Sequence, residues 1–435
     1  MRGGLTCHAN TSHTMSPNAS SQSTTLPLRQ MLICGAIIVT LSMGIRHSFG
    51  LWLQPITMAH GWSREDYSVA MAVQNLVWGA AGPFVGWWAD RSGAFRVLWL
   101  GALLYALGLL GMATTDHHLS FVLTCGVTIG LAQACSTYAV IYGVIGRNID
   151  ATQRSWAMGI TAASGSFGQF LMVPLASTLI QNMQWSPALM SLSLAALLIG
   201  PMAFGLREAS RQTPASLNSP TAHTAALLDG IPQTAGAALK EAFGHRDYLL
   251  LTAGYFVCGF QLAFIGVHLP SYLRDHRLDP QVATTALALI GLFNVFGTYA
   301  AGTLGQRIRK TWILSFIYAM RGLAMIAFVF TPPTPLSVGL FAATMGALWL
   351  STVPPTNAVV AQMLGVKHLS MLGGIVFFSH QIGSFMGVWL AGRLYDVTGS
   401  YQVVWWMAIV LAFAAALVNL PIREHLQPAR RLVSA

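Results

Sequence analysis

Two ionisable side chains stand where a membrane-compatible chain should carry none. The stretch SMGIRHSFGLW, residues 42–52, lies near the end of an apolar run that begins at Met31, and it sets Arg46 and His47 inside that run. A charge at such a place costs at least a few kcal/mol. The chemistry Arg46 offers in return is a guanidinium fork that clamps a carboxylate through two parallel hydrogen bonds. His47 projects about 100° away around a helix, so the two side chains cannot centre equally on one point. As a group that titrates near physiological pH, it is a candidate for binding an anion or carrying a proton. His380, midway along a later apolar run beside Ser379 and Gln381, offers the same two chemistries. Tyr138 and Tyr142, at i and i+4, share a helix face and could donate hydroxyls to a carboxylate. Gln381, Asn294, Trp349 and Asn357 complete the candidate binding set. Each has a plain alternative as a packed side chain, and for Arg46 the alternative is to snorkel toward an interface or bond carbonyls.

The sign of the buried charge narrows the cargo. All 13 Asp and Glu fall in expected loops, in tails, or in the first or last turn of an apolar run. Arg46 and Arg321 lie inside such runs, together with His47 and His380, while His268 lies near an outer end. Stranding one partner of a buried ion pair typically costs about 3–5 kcal/mol. With no acid at hand, water, backbone carbonyls or a bound anion must face Arg46. A carrier of cationic drugs would need a membrane carboxylate, and none is offered.

The elements that hold these residues follow from composition. Of 435 residues, 54% are hydrophobic and 8% charged, against roughly 25% charged in a soluble domain. A spanning helix needs about 20 mostly apolar residues. Twelve stretches meet that need: 30–54, 66–89, 95–115, 119–145, 155–180, 187–206, 247–272, 282–304, 311–331, 336–364, 370–392 and 401–421. With both termini inside, seventeen of the 23 Lys and Arg fall on inside segments and four on outside loops. The net charge of +10 is therefore a topology signal, not a nucleic-acid footprint. The five cysteines (Cys7, Cys34, Cys125, Cys135 and Cys258) show no metal spacing. No nucleophile–base pair or phosphate loop is present, so neither an enzyme nor a cofactor is expected.

The chain reads as a duplication. GWWADRSGAFR (86–96) after the second run matches GTLGQRIRK (302–310) after the eighth at an offset of 216, and GITAASGSFG (159–168) matches GIVFFSHQIG (374–383) at 215. The expected organisation is a disordered cytoplasmic tail at 1–27, within which Met15 is a second possible start, and a six-helix bundle at 28–206. A cytoplasmic connection at 207–246 follows, with the linker-like SRQTPASLNSPTAHT and an amphipathic segment near GAALKEAFGH. A second bundle at 247–421 and a tail at 422–435 complete it. Gly82 with Gly86, Gly383 with Gly387, and Gly165 with Gly168 offer small-residue faces for helix packing. Pro174, Pro270 and Pro354–Pro355 are expected to bend spans around a cavity.

Over residues 30–421 the sequence resembles the major facilitator superfamily. Gly86, Asp90, Arg91 and Gly93 meet the signature that follows the second span, with Ala94 and Phe95 in place of its basic pair and Arg96 after them. In the second copy Gln306 replaces the acid. GWSREDYSVA and HQIGSFMG look most like bacterial members near the monocarboxylate and oxalate–formate branch. The resemblance implies an all-helical membrane fold of two pseudo-repeat bundles, with both termini cytoplasmic and substrate held between the bundles. It places Arg46 and the fourth and tenth helices on the cavity, and the ninth, with Arg321, on the periphery, where Arg321 is expected to bond carbonyls of neighbouring helices. Gly86, Asp90, Arg91, Gly93 and Arg96 become an inside conformational latch. The eighth span carries Asn294 where those relatives place a basic or Asp–Arg pattern, so the exact substrate does not carry over. The expected activity is secondary transport of a small organic anion, with a monocarboxylate favoured, across the cytoplasmic membrane, with proton coupling through His47 or His380. The chain is expected to act as a monomer in the lipid bilayer. The alternative is export of a drug or amphiphilic metabolite.

Overall fold

A computed structural model describes residues 26–149, 151–208, 235–364 and 369–424. The tails expected at 1–27 and 422–435, and the Ser/Pro-rich part of the 207–246 connection, lie largely outside the described residues. All regular structure among the described residues is helical. Twelve helices are long and apolar enough to cross a membrane: α1 (Leu28–Leu51), α2 (Arg64–Ser92), α3 (Ala94–Thr114), α4 (His118–Asn148), α5 (Trp156–Met183), α6 (Trp185–Phe204), α7 (Arg246–Asp275), α8 (Pro280–Leu304), α9 (Lys310–Phe330), α10 (Pro335–Leu364), α11 (Met371–Thr398) and α12 (Gln402–Asn419).

Local chemistry sets their ends. Ser63 and Asp66 form a reciprocal capping box at the start of α2. That helix ends at Gly93, whose φ of 87° suits a residue without a side chain. Asp279 accepts from the Gln281 N–H at 2.7 Å to open α8, with Pro280 in the first turn. Helices pair in the same order in each half: α1 with α5, α2 with α4 and α3 with α6, then α7 with α11, α8 with α10 and α9 with α12. Buried apolar side chains form two clusters, one drawn almost wholly from residues before 207 and the other from residues after 241.

The internal duplication extends to polar contacts that the sequence reading did not pair. α4 breaks at Thr137 (φ −107°, ψ −166°), and α10 breaks between Leu348 and Val353. The Ser–Thr pairs at the two breaks, 136–137 and 351–352, stand 215 residues apart. Ser136 donates back to Ala132 O at 2.7 Å, and Ser351 to Ala347 O at 2.6 Å. Ser42 on α1 meets Ser136 at 2.9 Å, while Cys258 on α7, 216 residues later, meets Thr352 at 3.3 Å. Tyr105 donates to Ser42 O at 2.9 Å, and Arg321, again 216 residues later, donates to Cys258 Sγ at 3.4 Å. Pro354 and Pro355 open the second segment of α10 instead of kinking a continuous span; a first turn lacks intrahelical acceptors for its N–H groups anyway.

Between the halves the contacts are lopsided. α2 meets α11 and α5 meets α8. A Cβ added to Gly79 would stand 2.8 Å from the Gln381 side chain, and one on Gly291 would stand 2.9 Å from Gln169. Toward the face that carries the first and last described residues, called here the terminal face, Cβ positions on Gly82, Gly86, Gly159 and Gly374 meet nothing within 4 Å. A cleft therefore opens between the halves on the terminal face and closes near the level of Gly79 and Gln381. The Gly82–Gly86 pair, read from sequence as a packing face, stands free in this state. Gly383 and Gly387 do pack, against the backbone of Phe256 and Phe260.

Candidate functional site

Four polar side chains meet at the closed end of the cleft. Arg46, in the last turn of the α-helical part of α1, donates from Nη2 to Asn75 Oδ1 on α2 at 2.6 Å. Its guanidinium lies 4.8 Å from the centroid of the Trp78 ring, one turn further along α2. The backbone carbonyl of Asn75 accepts from Gln381 Nε2 on α11 at 3.1 Å, and Gln381 Oε1 lies 3.2 Å from His380 Nδ1. Since Oε1 can only accept, Nδ1 is the donor in this contact. A parallel aromatic contact makes the same crossing. Trp78 meets Phe377 edge-on at 5.3 Å, and Phe377 stacks on His380 at 5.9 Å. The candidates from the first and eleventh spans thus join across the interface of the halves, through Asn75, Trp78 and Phe377, which the sequence reading missed.

Arg46 has no carboxylate in this arrangement. The sequence reading offered water, carbonyls or an anion as its partner; the structure supplies the neutral amide oxygen of Asn75. The Arg46 Nε–H is buried without an acceptor. Two tyrosines, Tyr105 and Tyr138, stand close enough to act on its charge. Tyr138 and Tyr142 lie ring to ring at 5.7 Å, and the Tyr138 hydroxyl rests on Gly165 of α5, where any Cβ would clash with it. His47 is half-buried at the end of the regular part of α1.

The remaining candidates sit elsewhere. Asn294 belongs to the second crossing between halves: it donates to Ser166 on α5 at 2.8 Å, and its Oδ1 accepts from Thr298 at 3.1 Å and the Leu350 N–H at 2.9 Å. It pins the break in α10. Trp349 is buried in that same break, with its indole N–H unpartnered. Asn357 is exposed on the terminal side of α10, its Oδ1 near Gly373 of α11.

Arg321 is fully buried and bonds neutral groups only, as expected of a brace. It donates to Leu348 O at 3.2 and 2.5 Å, to Trp349 O, and to Gln261 Oε1 at 3.3 Å. It thereby closes the first segment of α10. Replacing Arg321 with Met would leave these acceptors bare, at about 1–3 kcal/mol for each buried group left unsatisfied. The expected outcome is a stability loss of about 3 kcal/mol, seen as a lower melting midpoint of the purified protein. An unchanged midpoint would show that the brace is dispensable.

The expected latch residues lie on the terminal face. Asp90 pairs with Arg147 at the end of α4 at 2.6 Å, and Arg147 also holds Glu208 at 3.0 Å. Arg91 lies over the Trp87 ring at 4.3 Å, and Arg96 is exposed. Gly86 borders the open cleft and Gly93 makes the turn.

The opposite face carries a set of contacts that the sequence reading did not assemble. Arg64 of α2 forks onto Asp275 of α7 at 2.8 and 2.6 Å and reaches the Tyr401 hydroxyl at 2.8 Å. Arg393 of α11 holds Glu65 at 3.0 Å. Asp396 of α11 accepts the N–H groups of Arg64 and Glu65 at 3.2 and 2.6 Å, which caps α2 from the other half. Beneath them His268, fully buried, bonds Tyr401 at 3.0 Å and Val388 O at 3.1 Å and touches Ser68 at 3.3 Å. Among the described residues, ion pairs at the terminal face stay within one half, whereas Arg64–Asp275 and Arg393–Glu65 cross.

A family model described as Major Facilitator Superfamily matches residues 32–387. The chain is 22% identical over 392 residues to an uncharacterized MFS-type transporter, YcxA, of Bacillus subtilis (strain 168), covering 86% of this chain and 90% of that protein. It is 26% identical over 390 residues to monocarboxylate transporter 13 of Rattus norvegicus, covering 88% and 86%. To human monocarboxylate transporter 12 it is 24% identical over 327 residues, covering 69% and 62%. In fold it matches a crystal structure of a bacterial homolog of the human lysosomal transporter Spinster, inward-facing and unoccupied. That match has a TM-score of 0.70 at 14% identity and covers 91% of this chain and 98% of that one.

Proposed function

The chain belongs to the Major Facilitator Superfamily, and on that footing we propose that it is a secondary active transporter that moves a small organic anion, with a monocarboxylate the best fit, by alternating access. The observation that carries the reading is Arg46: a guanidinium at the closed end of the cleft, held by one neutral amide, with a buried N–H that lacks an acceptor. A carboxylate entering from the cleft supplies the missing acceptor and the missing charge. Tyr138, which acts on the charge of Arg46, and Trp78, whose ring lies 4.8 Å from the guanidinium, flank the seat; Tyr142 lies beyond Tyr138. The monocarboxylate transporters among the relatives support the cargo class at low identity. The excess of Lys and Arg on the terminal side orients that face to the cytoplasm, so the state described is open inward. On this reading the protein works as a monomer in the cytoplasmic membrane, and the Asp90–Arg147 pair holds the inner ends of α2 and α4 together within the first half while the mouth is open.

Proton coupling is assigned to His380. A second proton on its ring adds positive charge two hydrogen bonds away from the Asn75 that holds Arg46, which strengthens the seat for an anion. The sign follows: carboxylate binding rises as pH falls. The test is a thermal-shift screen of the purified protein against carboxylates, neutral solutes and cationic amphiphiles at two pH values. Small monocarboxylates are expected to raise the melting midpoint by about 3 °C, more so at the lower pH, and His380→Gln is expected to remove the pH difference. Stabilisation by cationic amphiphiles alone would overturn the reading and favour an exporter of drugs or amphiphiles.

A further inference from the structure

On the outer surface of the second half, α9 and α12 enclose a groove of about 460 Å³ lined by Trp312, Ser315, Phe316, Ala319, Phe413 and Leu417. Its mouth is at the terminal face, since Trp312 lies in the first turn of α9 and Leu420, just past α12, closes the rim. Small side chains, Ala319 and Ala416, form its floor, and Phe413, packed on Gly322 at 2.9 Å from its Cβ position, walls the deeper end. Among these apolar walls sits one polar atom. Ser315 is 7% exposed, and its hydroxyl has no hydrogen-bond partner. A hydroxyl buried bare in an apolar setting is costly, so the groove lacks an acceptor at that depth.

The mouth is charged. Arg309 caps α9, reaches Ile422 O beyond α12 at 3.4 Å, and holds its guanidinium 5.3 Å from the Trp312 ring that lines the groove. Arg307, Lys310 and Arg423 stand on the same short segments. The carboxylates nearby are already engaged: Glu424 by the Thr311 N–H at 2.8 Å and by Lys310 at 3.7 Å, and Asp247 by the Arg423 N–H at 3.2 Å. Four cations against two occupied acids leave a net positive rim above an apolar slot.

We propose that this groove is a binding site for one anionic phospholipid: an acyl chain lies between α9 and α12, an ester carbonyl accepts from Ser315, and the phosphate sits on Arg309 and its basic neighbours. The groove spans roughly two helical turns from Trp312 to Ala319, about 10 Å at 1.5 Å per residue, which places the Ser315 hydroxyl one turn below the Trp312 ring that the Arg309 guanidinium overlies, the order in which a glycerophospholipid presents ester and phosphate.

The experiment uses the full-length protein in detergent, titrated with dioleoyl-phosphatidylglycerol, dioleoyl-phosphatidylcholine or inorganic phosphate at constant ionic strength. Phosphatidylglycerol is expected to raise the melting midpoint on the order of 3 °C, with phosphatidylcholine and phosphate giving under a third of that. Arg309→Gln, an exposed change, removes most of the increment. Ala319→Phe and Ala416→Phe, which fill the groove from opposite walls, remove it as well. As a reading independent of filled variants, phosphatidylglycerol with brominated chains quenches a tryptophan component that is lost in Trp312→Phe. Equal shifts with phosphatidylcholine, a phosphate shift as large as that of the lipid, or quenching unchanged in Trp312→Phe would each overturn the assignment.

Discussion

Arg46→Gln is expected to cut uptake of the cognate carboxylate about 100-fold while the protein still folds and inserts. The crossing between halves runs from Gln381 Nε2 to the Asn75 backbone carbonyl and does not pass through the guanidinium, so it survives the change. What disappears is the charge and the second donor. Hydrogen bonds to charged groups contribute about 1.5–3 kcal/mol each, and 2.7 kcal/mol corresponds to roughly 100-fold in an equilibrium constant. Arg46→Lys keeps the charge but loses the fork, and an intermediate loss of about tenfold is expected. Initial-rate uptake of a labelled carboxylate into vesicles, with protein content matched, checks both. Full uptake in Arg46→Gln would remove the guanidinium from the binding mechanism.

Opening the face opposite the termini supplies the second large effect. Arg64 and Asp275 form a two-pronged pair with side chains 12% and 27% exposed, sheltered enough to resist screening. Asp275→Asn removes one charge and one prong, and it leaves Arg64 with a neutral amide oxygen and the Tyr401 hydroxyl as acceptors. A loss of about 1.4–2.8 kcal/mol moves the balance between closed and open forms by 10- to 100-fold. The reporter is Ser68→Cys in a background without other cysteines. Ser68 is fully buried at this seam, against His268 and Gly392. Its labelling by a membrane-impermeant maleimide from the outer side is expected to rise at least tenfold in Asp275→Asn. Unchanged labelling would show that Arg393–Glu65 and the Asp396 cap close the face unaided.

Sequence and structure part company for physical reasons. The spans were readable because lipid forces long apolar helices; their ends rest on the cap and turn chemistry of Ser63, Asp66, Asp279 and Gly93, which the apolar runs do not mark. Arg46, His380 and Gln381 stood out because ionic or polar groups in an apolar run are costly. Asn75 did not: one amide beside Gln74 reads as ordinary helix contact, and Gln74 is used that way, bonding Cys125 O at 2.8 Å. The outer closure was illegible because Arg64, Asp275 and Asp396 look like unremarked loop and helix-end charges, and Arg64 and Asp275 are 211 residues apart. The kinship of Tyr105 and Arg321 was hidden because the same register carries a phenol in one half and a cation in the other. Asn294 was singled out for the right property, an amide in an apolar span, yet its bonds in this state go to Ser166 on α5, Thr298 and the α10 break.

The lopsided seam has a consequence for traffic. Under the transport proposed above, crossing ion pairs hold one face shut while no pair among the described residues bridges the other, so the empty carrier rests open toward the face where Leu28 and Asn419 lie.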